Sequence, residues 1–196
     1  FEGLKIMQLE TEWVKRPVIR LDMSRAGAEP ESIQSYLDYT FQEYESLYEI
    51  EVSNDSSLAT RLSEIVRIAY RQTGQQVVIL IDEYDSPLQR SWKTPLYEKC
   101  TAIYRDVFAI LKSMDKFENF IFITACTKFS QFSLTSGLNN LSFIGFDSEY
   151  DTLCGITKEE AIRYFKPEIN KLAACKGWTF DEAAMQLSSY YGGYHF

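Results

Sequence analysis

The sequence predicts an α/β fold built on a parallel β-sheet, and three observations predict it. Residues 77–82, VVILID, are apolar without interruption up to the last position, the pattern of a strand covered on both faces. Two further apolar segments, within residues 16–24 (RPVIRLDMS) and 120–125 (FIFITA), stand before and after it. The stretches between them carry apolar residues at every third or fourth position, the period of an amphipathic helix. Strands alternating with helices of these lengths imply right-handed crossovers and parallel pairing.

The first strand has apolar residues at 18, 19, 21 and 23, and Pro17 at its start needs no ladder donor. A helix over 32–48 places Ile33, Leu37, Phe41, Tyr44 and Tyr48 on one face, and a second over 58–70 does the same with Leu58, Leu62, Ile65, Val66 and Ala69. Gly74 closes the second helix, and the strand over 76–82 follows. A helix over about 95–114 leads to the strand at 120–125. After Thr127 comes a polar loop, KFSQFSLTSGLNNLS, and then an apolar piece, 141–146, expected to add one more strand. Two helices are expected beyond it. One starts at Thr157 with Glu160 completing a capping box, and the other at Thr179 with Glu182 doing the same.

At 196 residues, with 45% hydrophobic, 24% charged and 15% aromatic content, the chain has the makings of a packed core and not of a disordered tail. Its longest strongly apolar run, VVILI, is far below the roughly 20 residues that span a bilayer, and the N-terminus carries no export pattern. The four cysteines, 100, 126, 154 and 175, lack metal-ligand spacing and read as reduced core residues of a cytoplasmic protein. With 28 acidic against 20 basic residues, a net charge of −8 repels a phosphate backbone, so direct nucleic-acid binding is disfavoured.

The chemistry concentrates at the end of the apolar strand. Carboxylates at the carboxyl end of a parallel strand can position a divalent cation against phosphates and orient a water. In VVILIDEYD, Asp82 would hold a magnesium ion, through water, and Glu83 would act as general base; Asp85, two residues on, could reach the same place. The plainer reading is a buried strand running into an acidic turn at Ser86 and Pro87, with the carboxylates as caps. His195, between Tyr194 and Phe196, reads as a packing residue. Tyr36, Tyr39, Phe41, Tyr44 and Tyr48 read as core and helix contacts, and Glu43, Glu45, Glu49 and Glu51 as a solvated face.

Taken in order, FEGLKI (1–6), PVIRLDMS (17–24), VVILIDEYDSPL (77–88), TACTKFSQFSLTSGLNNL (124–141), YDTLCGITKEEA (150–161) and YYGGYHF (190–196) resemble the AAA-ATPase-like family of P-loop proteins, often fused to a C-terminal nuclease-like domain. The resemblance implies a three-layer P-loop NTPase-like parallel sheet flanked by helices over 1–147, followed by a helical lid over 148–196. It implies ATP and Mg2+ as ligands, Thr124 as a polar sensor of the γ-phosphate, and Lys128 beside it. Read plainly, Thr124 satisfies a strand end and Lys128 is a solvated cation. Asn139 and Asn140 could meet a ligand but suit Asx-turns better.

Two departures stand out. Nothing in the chain reads as a glycine-lysine phosphate loop, which the family carries just ahead of the FEGLKI match, and Gly192 replaces an acidic residue of its YYDGY pattern. A fragment of a longer protein is therefore expected, with a gap in the sheet that another segment or self-association would fill. ATP hydrolysis driving attached domains is the leading reading. A non-catalytic interaction module of the same fold is the second, and a metal-dependent nuclease using Asp82, Glu83 and Asp85 the third.

Overall fold

The computed structural model describes residues 2–53, 55–126, 141–145, 147–150, 153 and 156–191. The chain forms two compact units, Phe1–Asn140 and Leu141–Phe196. Unit 1 holds a three-stranded parallel sheet flanked by helices, an α/β arrangement consistent with a P-loop-like three-layer fold. The strands are β1 (Val18–Asp22), β2 (Val77–Asp82) and β3 (Glu118–Ile123), in that spatial order. β1 pairs with β2 from Val18↔Val78 to Asp22↔Asp82, and β2 with β3 through Val78↔Phe120 and Ile81↔Ile123.

The helices of this unit are α1 (Ile6–Leu9), α2 (Pro30–Leu47), α3 (Leu58–Thr73), α4 (Ser86–Ser91) and α5 (Tyr97–Phe108). Pro30 in the first turn starts α2 where a missing N–H does no harm, Ser57 caps α3 by accepting the Thr60 N–H, and Gly74 ends α3 at φ +67°. The single helix expected over 95–114 stops at Phe108 and tightens into a 3₁₀ turn, Ala109–Ser113. The sequence reading expected neither α1 nor α4.

Ile19 and Leu21 of β1 and Val77, Ile79 and Ile81 of β2 are buried together with Ile33, Leu37 and Phe41 of α2, Leu62, Ile65 and Val66 of α3, and Tyr104 and Phe108 of α5. The even-numbered side chains face the other way: Val78 and Leu80 are half-buried, and Val18 and Phe120 exposed. Tyr36 and Tyr44 of α2 reach the outer edge of β1, where their hydroxyls accept the Asp22 and Arg20 N–H groups at 2.7 Å each. Both would otherwise be free edge donors.

One charged residue expected in solvent is in the core. Glu45 is only 7% exposed because Arg61 of α3, itself buried, donates to both its carboxylate oxygens, at 2.6 and 2.7 Å. The same guanidinium reaches Asp38, so α2 and α3 are joined by a forked ion pair as well as by apolar packing.

Unit 2 holds α6 (Lys158–Tyr164), α7 (Lys166–Lys176) and α8 (Phe180–Tyr191). The capping boxes at Thr157–Glu160 and Thr179–Glu182 both form. The stretch between them is two helices, because Pro167 starts a new first turn at α7. Ile169, Ala173 and Ala183 make a small core with Leu172, Phe180, Ala184 and Leu187. The extra strand expected at 141–146 is absent from its described part, 141–145: the Ile144 carbonyl accepts the Asp147 N–H at 3.1 Å, so the chain turns there. Phe146 lies outside the described residues.

The cysteines divide. Cys100 is buried as expected, whereas Cys126 and Cys175 are exposed, and Cys154 lies outside the described residues. Among the described residues no helix is long and apolar enough to cross a membrane.

Arg61→Ala leaves the Glu45 carboxylate buried without its partner and should lower unfolding stability by about 3 kcal/mol in urea titration. Asp38→Asn, at a half-exposed position, should cost no more than about 1 kcal/mol. At the start of β3, Glu118 has one buried oxygen without a partner, and desolvation, helped by Asp115, pushes its pKa up to about 7. The folded chain therefore holds this proton where the unfolded chain has lost it, and stability falls as pH rises from about 4.5 through about 7. Glu118→Gln should raise the melting temperature more at pH 8 than at pH 5.

Candidate functional site

At the carboxyl end of β2 the chain has only two residues between buried anchors. Ile81 is 1% exposed and Tyr84 2% exposed, the latter packed edge-on to Tyr104 with ring centroids 5.0 Å apart and against Phe108 at 5.1 Å. Asp82 and Glu83 lie between them. Asp82 is half-buried on the even-numbered face, and Glu83 is exposed with φ +47°, a left-handed conformation that costs a non-glycine residue about 1 kcal/mol or more.

Thr124, just past β3, holds this turn with both its backbone and its side chain. Its N–H donates to the Ile81 carbonyl and its carbonyl accepts the Tyr84 N–H, both at 2.9 Å. Its hydroxyl accepts the Glu83 N–H at 3.0 Å and donates to Asp82 Oδ1 at 2.6 Å. One hydroxyl thus links the backbone of the exposed glutamate to the side chain of the aspartate. Its only proton is committed to Asp82.

The second oxygen, Asp82 Oδ2, meets Nη2 of Arg20 on β1 at 3.3 Å. These contacts hold the Asp82 carboxyl below its ordinary range. The Thr124 hydrogen bond is the main cause, slight burial opposes it, and Arg20 and the Glu83 N–H add to the lowering.

Asp85 does not join the pair. It is 2% exposed; its Oδ1 accepts the Cys126 N–H at 3.1 Å and its Oδ2 accepts the Gln89 amide at 2.5 Å. It ties the turn after β2 to the segment after β3 and to α4. This separates Asp85 from the three-carboxylate arrangement that the nuclease reading required, and among the described residues no group of three or more His, Cys, Asp or Glu side chains could hold a metal ion. Sequence reasoning missed Arg20, although its even-numbered place on β1 puts it on the same face as Asp82. Lys128, Asn139, Asn140, Gly192 and His195 lie outside the described residues.

The donors at this end of the sheet are carboxylate and hydroxyl oxygens, which suit a hard cation. Mg2+ keeps most of its water and takes one or two carboxylates together with substrate phosphates, so a single accessible oxygen at Asp82 fits that ion as one part of its shell. The site is open: a cleft of about 730 Å³ lies elsewhere, lined by α2, Val52, Ser53, Ser56, Ser57, α3 and α5, and includes neither Asp82 nor Glu83.

Comparison with known proteins covers the same ground. The sequence model of a family described as predicted AAA-ATPase matches residues 1–135, which take in β1, β2, β3 and the Asp82–Glu83 turn. An uncharacterized protein in the vnfD 5' region of Azotobacter chroococcum mcd 1 is 34% identical over 136 residues, 69% of this chain and 24% of that protein. The chain thus spans about a quarter of the length of that relative. No solved structure matches this chain.

The bridging role of Thr124 is open to a direct test. Thr124→Val removes the hydroxyl and should move the Asp82 titration up toward its ordinary value of 3.8 in a carboxyl-resolved NMR titration, whereas Thr124→Ser should leave it low. A lowered carboxyl pKa contributes stability above the ordinary value that is lost as pH falls through the lowered one, so Thr124→Val should also flatten the acid limb of the stability curve.

Proposed function

Because the chain belongs to the predicted AAA-ATPase family, we propose that it is the carboxylate-bearing part of an ATP-hydrolysing module, and that in the whole protein hydrolysis drives a conformational change in attached domains. The single observation that carries this reading is the Asp82–Thr124–Glu83 constellation. One hydroxyl bonds both the accessible carboxylate of Asp82 and the backbone N–H of the residue that carries the exposed carboxylate, Glu83, at the carboxyl end of the central parallel strand.

In this reading Asp82 Oδ2 helps to hold a hydrated magnesium ion, and Glu83, facing solvent at the strand end, takes the proton of the attacking water. When bound, the ion neutralises charge at the phosphates. Thr124 holds the Asp82 carboxylate and the backbone of Glu83 together, and it could report a γ-phosphate only by giving up its bond to Asp82. Lys128 belongs to the same reading as a cation for the nucleotide. The phosphates themselves call for a glycine-lysine loop supplied by an upstream segment, whose strand would pair with the outer edge of β3. We place the boundary between this core and a helical lid at 147/148 and the protein in the cytoplasm.

A second reading, a non-catalytic interaction module of the same fold, draws on the fact that both oxygens of Asp82 already have protein partners. ATP hydrolysis by the full-length protein separates the two. Glu83→Gln should lower kcat by at least about 100-fold while nucleotide affinity changes little. Equal rates in parent and variant would remove Glu83 from the role of base, and no hydrolysis in the parent would favour the non-catalytic module.

A further inference from the structure

We infer that Arg20 is a positioning residue that occupies Asp82 until a divalent cation takes its place, and so sets how readily the site accepts the ion. The inference rests on the reading of Asp82 as a metal-holding residue and adds a competitor to it. The competition is for one atom: Oδ1 of Asp82 is engaged by the Thr124 hydroxyl at 2.6 Å, which leaves Oδ2 to accept an ion, and Oδ2 is the oxygen that Arg20 Nη2 meets at 3.3 Å.

The contact has the properties of a placeholder. Its length exceeds the roughly 2.7–2.9 Å of a tight charge-assisted bond. The two side chains are 62% and 43% exposed, a setting in which an ion pair adds little. Arg20 still returns to the same place, because its own N–H is anchored on the Tyr44 hydroxyl at 2.7 Å and β1 is held in register with β2. Arg20 pairs with Leu80, two residues before Asp82 and about 7 Å along the strand, a span that an arginine side chain covers. Of its same-face neighbours, Val18, Val78 and Leu80 are apolar and Asp22 is engaged by the Ser24 hydroxyl; among the described residues Asp82 is the only carboxylate that Arg20 pairs with.

The β1–β2 register itself gives this face a need for such a cation. Asp22 and Asp82 are directly opposite each other in the β1–β2 register and on the same face, an arrangement of like charges that destabilises a sheet. Asp22 turns its Oδ1 to the Ser24 hydroxyl at 2.6 Å, and Arg20 screens Asp82. A divalent ion arriving at Oδ2 supplies the same screening with twice the charge and repels the guanidinium, which has a free path into solvent.

The test is Mn2+ binding to the 196-residue chain, followed through the paramagnetic signal of the free ion, with thermal melts to confirm folding of each variant. Arg20→Met should bind Mn2+ about two- to fivefold more tightly than the parent, the range set by a weak exposed ion pair. Arg20→Lys, which keeps a cation, should fall between them, and Asp82→Asn should bind least. If Asp82→Asn leaves the affinity of the parent unchanged, the ion does not sit on Asp82 and the underlying reading fails. If Asp82→Asn weakens binding while Arg20→Met binds no more tightly than the parent, the ion site stands and the placeholder role of Arg20 is overturned.

Discussion

β2 is paired on both sides, and its odd-numbered side chains are buried almost completely. A slip of one residue would carry Ile79 and Ile81 out of the core and put Asp82 into it, so the register is strongly specified. The same constraint continues past the strand. Tyr84 must also return to the core, against Tyr104 and Phe108, and only two residues separate it from Ile81. Those two residues are thereby forced outward, with the backbone strain concentrated at Glu83. The carboxylates face solvent because apolar anchors on either side of them are satisfied.

Anchoring from below does not orient them sideways, and that is where β3 enters. Thr124 and Asp85 connect the turn after β2 to the end of β3 through side chains, one through a hydroxyl and the other through a buried carboxylate. Displacement of Thr124 would therefore be felt at Asp82 and Glu83 within one hydrogen bond, and displacement of Cys126 at Asp85. Asp85 looks from sequence like a third member of the acidic cluster, yet its burial and its bond to a backbone N–H make it part of the frame.

The elements legible in the sequence are those with a long, clean period. β2, α2 and α3 could be read because burial of one face, or of a continuous run, leaves a periodic trace over many residues. α4 has only six residues and opens with Ser86 and Pro87, which equally describe a turn. The division between α6 and α7 did leave a signal in Pro167, since a proline suits the first turn of a helix and breaks an interior one. At the site, Asp82, Glu83 and Thr124 are marked by their places at strand ends. The parts of Arg20 and Asp85 depend on which strand lies beside which and in what register, and no local pattern carries that. Glu45 was misread for a similar reason: on its own helix it is one acid among several, and its burial is decided by Arg61 on another helix.

The two edges of the sheet are finished differently. On β1 the Tyr36 and Tyr44 hydroxyls stand in for a neighbouring strand, accepting two N–H groups that would otherwise offer themselves to another chain. On β3, among the described residues, no side chain does this, and Phe120 is 52% exposed. Among the described residues, then, side chains close the β1 edge and not the β3 edge. A strand added there would run beside the residues leading into Thr124, whose side chain is bonded to both carboxylate-bearing residues. The same hydrogen bonds that shape the turn would then couple the incoming strand to Asp82 and Glu83.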